Sequence, residues 1–224
     1  MFRRKNNSYR TLLFLFAFML MLQHLSAQDT VLVYNNYKYK IGVKLIGENS
    51  YAAGRENFEK NRTASTGIQL MRKLNSFLCI ESGLYYITKG HTYIASDSSW
   101  GYSVPIPFRY HNISIPLSIR YDSKIIYLTA GGYCDYLLNY SVARNEPYAG
   151  NVHYYLTDRK FNLGIIFTAG LEKQFSKTLS FFVEGRFLEN ITSTKEEYDF
   201  IRVGFGYFNS GVAIGINYKV LSNK

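Results

Sequence analysis

Residues 212–220 read VAIGINYKV, and the parity of this stretch decides the fold. Val212, Ile214, Ile216, Tyr218 and Val220 share one parity, while Ala213, Gly215, Asn217 and Lys219 share the other. Successive strand side chains point to opposite faces, so this is a strand with one apolar face. LGIIFTAGLE at 163–172 repeats the pattern, setting Leu163, Ile165, Phe167, Ala169 and Leu171 against Gly164, Ile166, Thr168, Gly170 and Glu172. In 179–187, Leu179, Phe181, Val183 and Phe187 oppose Ser180, Phe182, Glu184 and Arg186.

Extending the same reading along the chain gives eight strand segments, at 38–46, 64–73, 77–89, 109–121, 125–138, 161–175, 179–190 and 207–220. Each is long enough to cross a bilayer when tilted. Short turns are expected at Asn75-Ser76, Asp122-Ser123 and Ser176-Lys177, and long loops at 47–63, 90–108, 139–160 and 191–206. An even number of antiparallel strands with tight turns at one end and long loops at the other predicts an all-β, eight-stranded, up-and-down transmembrane β-barrel. Its short turns and both chain ends lie on the periplasmic side, its long loops outside the cell. The barrel is expected over 37–220, after a short periplasmic segment at 28–36 and before a tail at 221–224.

The chain of 224 residues opens with Arg3, Arg4, Lys5 and Arg10, then the apolar run TLLFLFAFMLML at 11–22, then Leu25-Ser26-Ala27. That order is the basic, apolar and small-residue sequence of a secretory signal, and residues 1–27 are expected to be cleaved. Removal leaves 22 bases against 16 acids. The residue directly after the cleavage position is Gln28 and not Cys, which argues against a lipid anchor. With only two cysteines, Cys79 and Cys134, a disulfide scaffold and a Cys-based zinc finger are excluded.

The competing fold is a soluble eight-stranded ligand barrel of the lipocalin type, which turns its apolar face inward. Two features weigh against it. The less apolar parity carries Gly42, Gly67, Gly83, Gly164, Gly170 and Gly215 among charges, which suits a narrow lumen holding a few long side chains. Tyr39, Tyr85, Tyr86, Tyr93, Tyr110, Tyr121, Tyr136, Tyr140, Tyr207 and Tyr218 cluster near strand ends, where they are expected to mark the two membrane interfaces.

NISIPLSIRY at 112–121, ESGLYYITKG at 81–90 and YLTAGGYCDYLL at 127–138 resemble the PorT-like family of outer-membrane barrels of the Bacteroidetes group, over about 37–220. The resemblance implies a barrel and, through some relatives, a link to protein secretion across the outer membrane. Pro116 lies inside the first of these strands, and because proline cannot donate to a ladder, a bulge or local break is expected there. The chain lacks the terminal aromatic of such barrels, ending Leu221-Ser222-Asn223-Lys224.

Parity points Lys40, Lys44, Glu81, Lys89, Arg120, Glu172, Glu184 and Arg186 into the lumen. Eight strands leave a lumen filled by side chains, so these charges are expected to pair as a polar plug rather than line an ion path. No catalytic residue, cofactor or metal site is expected. Glu172 and Glu184 resemble an acid/base pair, but a glycan cannot enter so narrow a lumen. His91, His111 and His153 are scattered in or beside three different loops. His111 and Ser114 invite comparison with an outer-membrane lipid A deacylase, yet a spacing of three puts them on opposite faces of a strand.

Lys38, Arg72, Lys73, Arg120, Lys124, Lys173, Lys177, Lys219 and Lys224 gather near the short turns. Such a rim reads as snorkelling side chains, or as attraction to inner-leaflet phosphates or an acidic periplasmic partner, and not as a nucleic-acid surface. The long loops hold Trp100, Tyr102, Tyr148, Tyr154 and Tyr155, residue types suited to a protein or glycan partner. Three classes of role stay open at this level: a structural, adhesion or partner-binding barrel in outer-membrane lipid, an accessory of a secretion or surface-assembly machine, and a lipid-modifying enzyme.

Overall fold

The computed structural model describes residues 37–53, 58–97, 102–123, 125–142, 154–156, 160–192, 194–198 and 201–221. The strands are β1 (Tyr37–Ala53), β2 (Phe58–Lys73), β3 (Leu78–Asp97), β4 (Tyr102–Asp122), β5 (Ile126–Val142), β6 (Tyr154–Leu156), β7 (Phe161–Gln174), β8 (Leu179–Asn190), β9 (Thr194–Tyr198) and β10 (Ile201–Leu221). Eight of them run β1-β2-β3-β4-β5-β7-β8-β10, and β1 pairs with β10 to close the barrel. All these pairs are antiparallel. Closure matters because every backbone N–H and C=O then finds a partner within the wall, the condition for crossing lipid.

The eight predicted segments fall on the eight barrel strands; β7 and β8 match to within a residue, and the other six strands outrun them. The stretches 47–63 and 90–108, expected as loops, are mostly hairpin: β1 pairs with β2 as far as Ser50↔Asn61, and β3 with β4 as far as Asp97↔Tyr102. The reason is that a period-two signal needs lipid on one face. Above the apolar band the outer positions are Asn49, Arg62 and Arg109, so the hydrophobic alternation fades while the backbone ladder continues. Short strands β6 and β9 also lie in segments expected as loops, where β9 pairs with the start of β10 and with β6.

Proline shapes β4. Pro105 and Pro107 lie beyond Phe108↔Val142, the last pair of β4 with β5, where the missing N–H interrupts no ladder on that side. At Pro116 the ladder with β3 skips Gly83 and Leu84 without a change of register, a local break rather than a bulge. The Ser82 hydroxyl donates to the Pro116 carbonyl at 2.8 Å across this gap.

The turns at the end where β1 begins and β10 finishes are tight and side-chain-braced. Asn75 accepts the N–H groups of Phe77 and Leu78 at 2.9 and 2.8 Å, and the Ser176 hydroxyl accepts those of Thr178 and Leu179 at 3.3 and 2.9 Å. These are the local turns that Asn and Ser favour.

The apolar parity faces outward. Val43 is 56%, Leu117 64% and Val212 56% exposed, while their neighbours Lys44, Ser118 and Ala213 are buried. A soluble ligand barrel requires the reverse, so the lipocalin-type alternative is set aside. The tyrosines divide: Tyr86, Tyr121, Tyr136, Tyr140 and Tyr218 lie on the outer face as expected of interfacial rings, but Tyr85, Tyr110 and Tyr207 are buried inside.

Cys79, at the start of β3, is buried, and Cys134 lies on the outward parity of β5, with β4 between their strands. Both thiols are free, so alkylation after unfolding in the absence of reductant is expected to add two labels by mass, and a single intramolecular disulfide would contradict this strand order.

Candidate functional site

The lumen is where the sequence has placed its chemistry. Its shape comes from four cross-strand pairs in which an aromatic ring lies across a glycine: Tyr85 on Gly67, Tyr127 on Gly170, Tyr133 on Gly164 and Phe182 on Gly215. A Cβ at any of these glycines would run into the facing ring. The rings fill the barrel sideways, and the long charged side chains thread between them.

Nearest the end with the short turns, Glu172 of β7 is the hub. It accepts from Lys40 Nζ at 3.1 Å, from the Asn217 amide at 3.3 Å, and from the Arg120 guanidinium and the Ser180 hydroxyl. Arg120 Nε also donates to Asp122 at 2.6 Å, and its guanidinium lies 3.5 Å from the centre of the Tyr127 ring. Gln69 donates to Asn217 at 2.6 Å and Lys219 to Gln174 at 2.6 Å.

One level further in, Glu184 of β8 receives Lys44 Nζ at 2.8 Å and the Tyr127 hydroxyl at 2.7 Å. Lys44 reaches Glu81 at 3.4 Å, and Arg120 approaches the other oxygen of Glu81 at 3.8 Å, which joins the two levels. Arg186 sits 3.8 Å from Glu184 and 3.6 Å from Glu48.

Toward the opposite end Lys89 of β3 spans the lumen. Its Nζ lies 2.6 Å from Asp135 of β5, and donates to the Tyr133 hydroxyl at 3.2 Å and to Asn190 of β8 at 3.0 Å. Above it His91 shares a 3.0 Å hydrogen bond with the Tyr207 hydroxyl and stacks on Phe108 with ring centres 5.1 Å apart.

All eight side chains that parity aimed inward are found in this network. Lys40, Lys44, Glu81, Lys89, Arg120, Glu184 and Arg186 are buried, and the Glu172 side chain is 10% exposed. Among the described residues, six cations (adding Lys219) face six carboxylates, which include Glu48, Asp122 and Asp135. Parity does not assign those last three to the lumen. Glu48 lies beyond the predicted end of its strand, Asp122 falls in a predicted turn, and Asp135 sits on β5, where both parities begin apolar. His91, expected in or beside a loop, is fully buried within β3. His111 stands on the outer face of β4 within 2.7 Å of the Tyr86 hydroxyl, while Ser114 is buried inside. His153, Trp100 and Tyr148 lie outside the described residues; Tyr102 begins β4, and Tyr154 and Tyr155 belong to β6.

The sequence model of the outer membrane protein beta-barrel domain matches residues 27–196. The chain belongs to that family. No curated protein sequence matches it. Among solved structures, a major outer membrane protein from Thermus thermophilus is similar at 11% identity with a TM-score of 0.50, over 81% of this chain and 99% of that one. Neisserial surface protein A is similar at 10% identity and TM-score 0.49, over 82% and 97% of the two chains. Ail of Yersinia pestis follows at 7% and 0.40, over 82% and 99%. The Thermus likeness supports the fold alone. This is a small outer-membrane barrel whose interior is crossed by ion pairs.

Removing one partner from such a network leaves buried charge uncompensated. Glu184→Leu leaves Lys44 with only Glu81 and Arg186 with only Glu48, and is expected to cost about 3 to 5 kcal/mol in a urea titration of the folded barrel. Glu59→Leu, at an exposed position on β2, is expected to cost less than about 0.5 kcal/mol. Equal losses would argue against the network.

Proposed function

We propose that this protein is a non-enzymatic, plugged outer-membrane barrel, and that it acts through its extracellular surface as a structural, adhesion or partner-binding element of the envelope. The observation that carries the reading is the ion-pair network. Its members come from β1, β3, β4, β5, β7, β8 and β10, so it braces the wall in every direction and occupies the space a solute would need. In this reading Lys40, Lys44, Glu81, Lys89, Arg120, Glu172, Glu184 and Arg186 are the plug. A pore needs a continuous wet path, and an eight-stranded lumen packed with side chains offers none.

What the barrel holds out is the pair of hairpins formed by β1–β2 and β3–β4. They and the segments carrying Trp100, Tyr102, Tyr148, Tyr154 and Tyr155 are the surface we assign to a protein or glycan partner, aromatic side chains being the commonest anchors of such contacts. Residues 1–27 serve as the export signal and are removed. A second reading, an accessory of a secretion or surface-assembly machine, is favoured by the PorT-like stretches at 81–90, 112–121 and 127–138. The lipid-modifying reading loses support from the opposed facing of His111 and Ser114.

Two measurements on native protein separate these readings. In planar bilayers the purified barrel is expected to give no ion-conducting steps, and sustained conductance would overturn the plug. Mild detergent extraction from outer membranes, followed by mass analysis, is expected to yield the barrel without a fixed envelope-machine partner; a stoichiometric one would select the secretion reading.

A further inference from the structure

On the outer face of the barrel, between β4 and β10, lies an apolar groove of about 740 Å³. Its floor is made by Ala130, Ala169 and Gly185, and its sides by Leu128, Phe167 and Phe187. Other outward glycines, Gly47 and Gly132, are also open, but Gly185 lies in a groove flanked by two phenylalanines. Its smallest residue is not required by the barrel. Inward glycines such as Gly170 face a ring that forbids a Cβ, but a Cβ at Gly185 would meet only the Ala169 carbonyl oxygen, at 3.9 Å. Glycine weakens a strand interior, so a strand glycine with open space above it keeps room for something outside the wall.

The charge nearby says what that is. Ala169 and Gly185 are directly paired across β7 and β8. Those strands are joined by the short turn at 175–178, where Lys173 and Lys177 are both exposed. Lys173 shares the outward parity of Ala169 and lies four residues from it, about 13 Å along the strand. Glu189, the acidic residue on the outer face of β8, is at the opposite end of the strand. Two cations at the level of the periplasmic headgroups thus stand over a groove at the depth of the acyl chains.

We propose that this groove seats an acyl chain of an anionic glycerophospholipid of the inner leaflet, whose phosphate is held by Lys173 and Lys177. The lipid runs from the turn, past Leu171 and Val183, and lays the distal part of its chain over Gly185 between Phe167 and Phe187. The lysine pair and the groove together make the site selective.

The test uses the full mature barrel in phosphatidylcholine vesicles, with Trp100→Phe removing the native indole and Phe187→Trp placing a reporter at the groove wall. A second reporter, Leu45→Trp, sits on the outer face of β1, away from the groove. Quenching by chain-brominated phosphatidylglycerol is compared with quenching by chain-brominated phosphatidylcholine. The anionic lipid is expected to associate about five-fold more strongly at residue 187 and equally at residue 45. The preference should vanish in the Lys173→Ser, Lys177→Ser double variant, and should fall in Gly185→Leu, which fills the floor from outside. No preference at residue 187, the same preference at residue 45, or a preference that survives loss of both lysines would overturn the proposal. So would a reporter at 187 shielded from both lipids in a particle of twice the mass, which would make a second copy the occupant. Folding of each variant is checked by the different gel mobility of unboiled and boiled protein, and the lysine arm decides alone if Gly185→Leu fails to fold.

Discussion

A carboxylate inside an eight-stranded barrel has little water to retreat to, and most of this interior can be read as the answer to that constraint. Glu184 is held between Lys44, Arg186 and the Tyr127 hydroxyl, and Glu172 between Lys40, Arg120, Ser180 and Asn217. Each pair ties strands far apart in sequence, as Lys40 to Glu172 does across 132 residues. Ion pairs of this kind need not add net stability over apolar packing, because desolvation opposes the Coulomb gain. They do specify which strands face each other, since a one-residue slip would swing every charge into lipid.

The outside obeys a simpler rule, and this is why the fold was so legible. Lipid demands an apolar residue at every second position of a spanning strand, and VAIGINYKV at 212–220 meets that demand without exception. Where the demand lapses, so does the signal. Glu48, Ser50 and Ala52 continue the inward row of β1 above the apolar band, but the outward residues there are Asn49 and Tyr51, and the strand was ended at residue 46. The hairpin extensions were therefore read as loops, and Glu48 was lost with them.

The site was partly legible for the same reason. Parity gave the inward charges directly, but it cannot say how far a side chain reaches: Lys89 crosses from β3 to partners on β5 and β8, and no local pattern encodes that span. The tyrosines show a second limit. Tyr85 and Tyr86 are neighbours of identical type near the middle of β3, yet one covers Gly67 inside and the other meets lipid outside with His111. Residue type suggested interfacial rings for both, whereas the glycine opposite Tyr85 was the available cue to an inward ring. Function is the least legible layer, because a filled lumen is a negative statement about transport, and the segments beyond the apolar band carry no periodicity to read.

The central claim is that one parity of each strand meets lipid while the other meets a sealed, ion-paired interior. Spin labels placed singly at residues 212, 213, 214, 216, 217 and 218 of β10 in a bilayer test it most directly, by comparing accessibility to dissolved oxygen with accessibility to a water-soluble nickel complex. Oxygen access should be high at 212, 214, 216 and 218 and low at 213 and 217, with the nickel complex excluded from the inward positions. High nickel access at 213 and 217 would mean an open aqueous lumen, and would contradict the account.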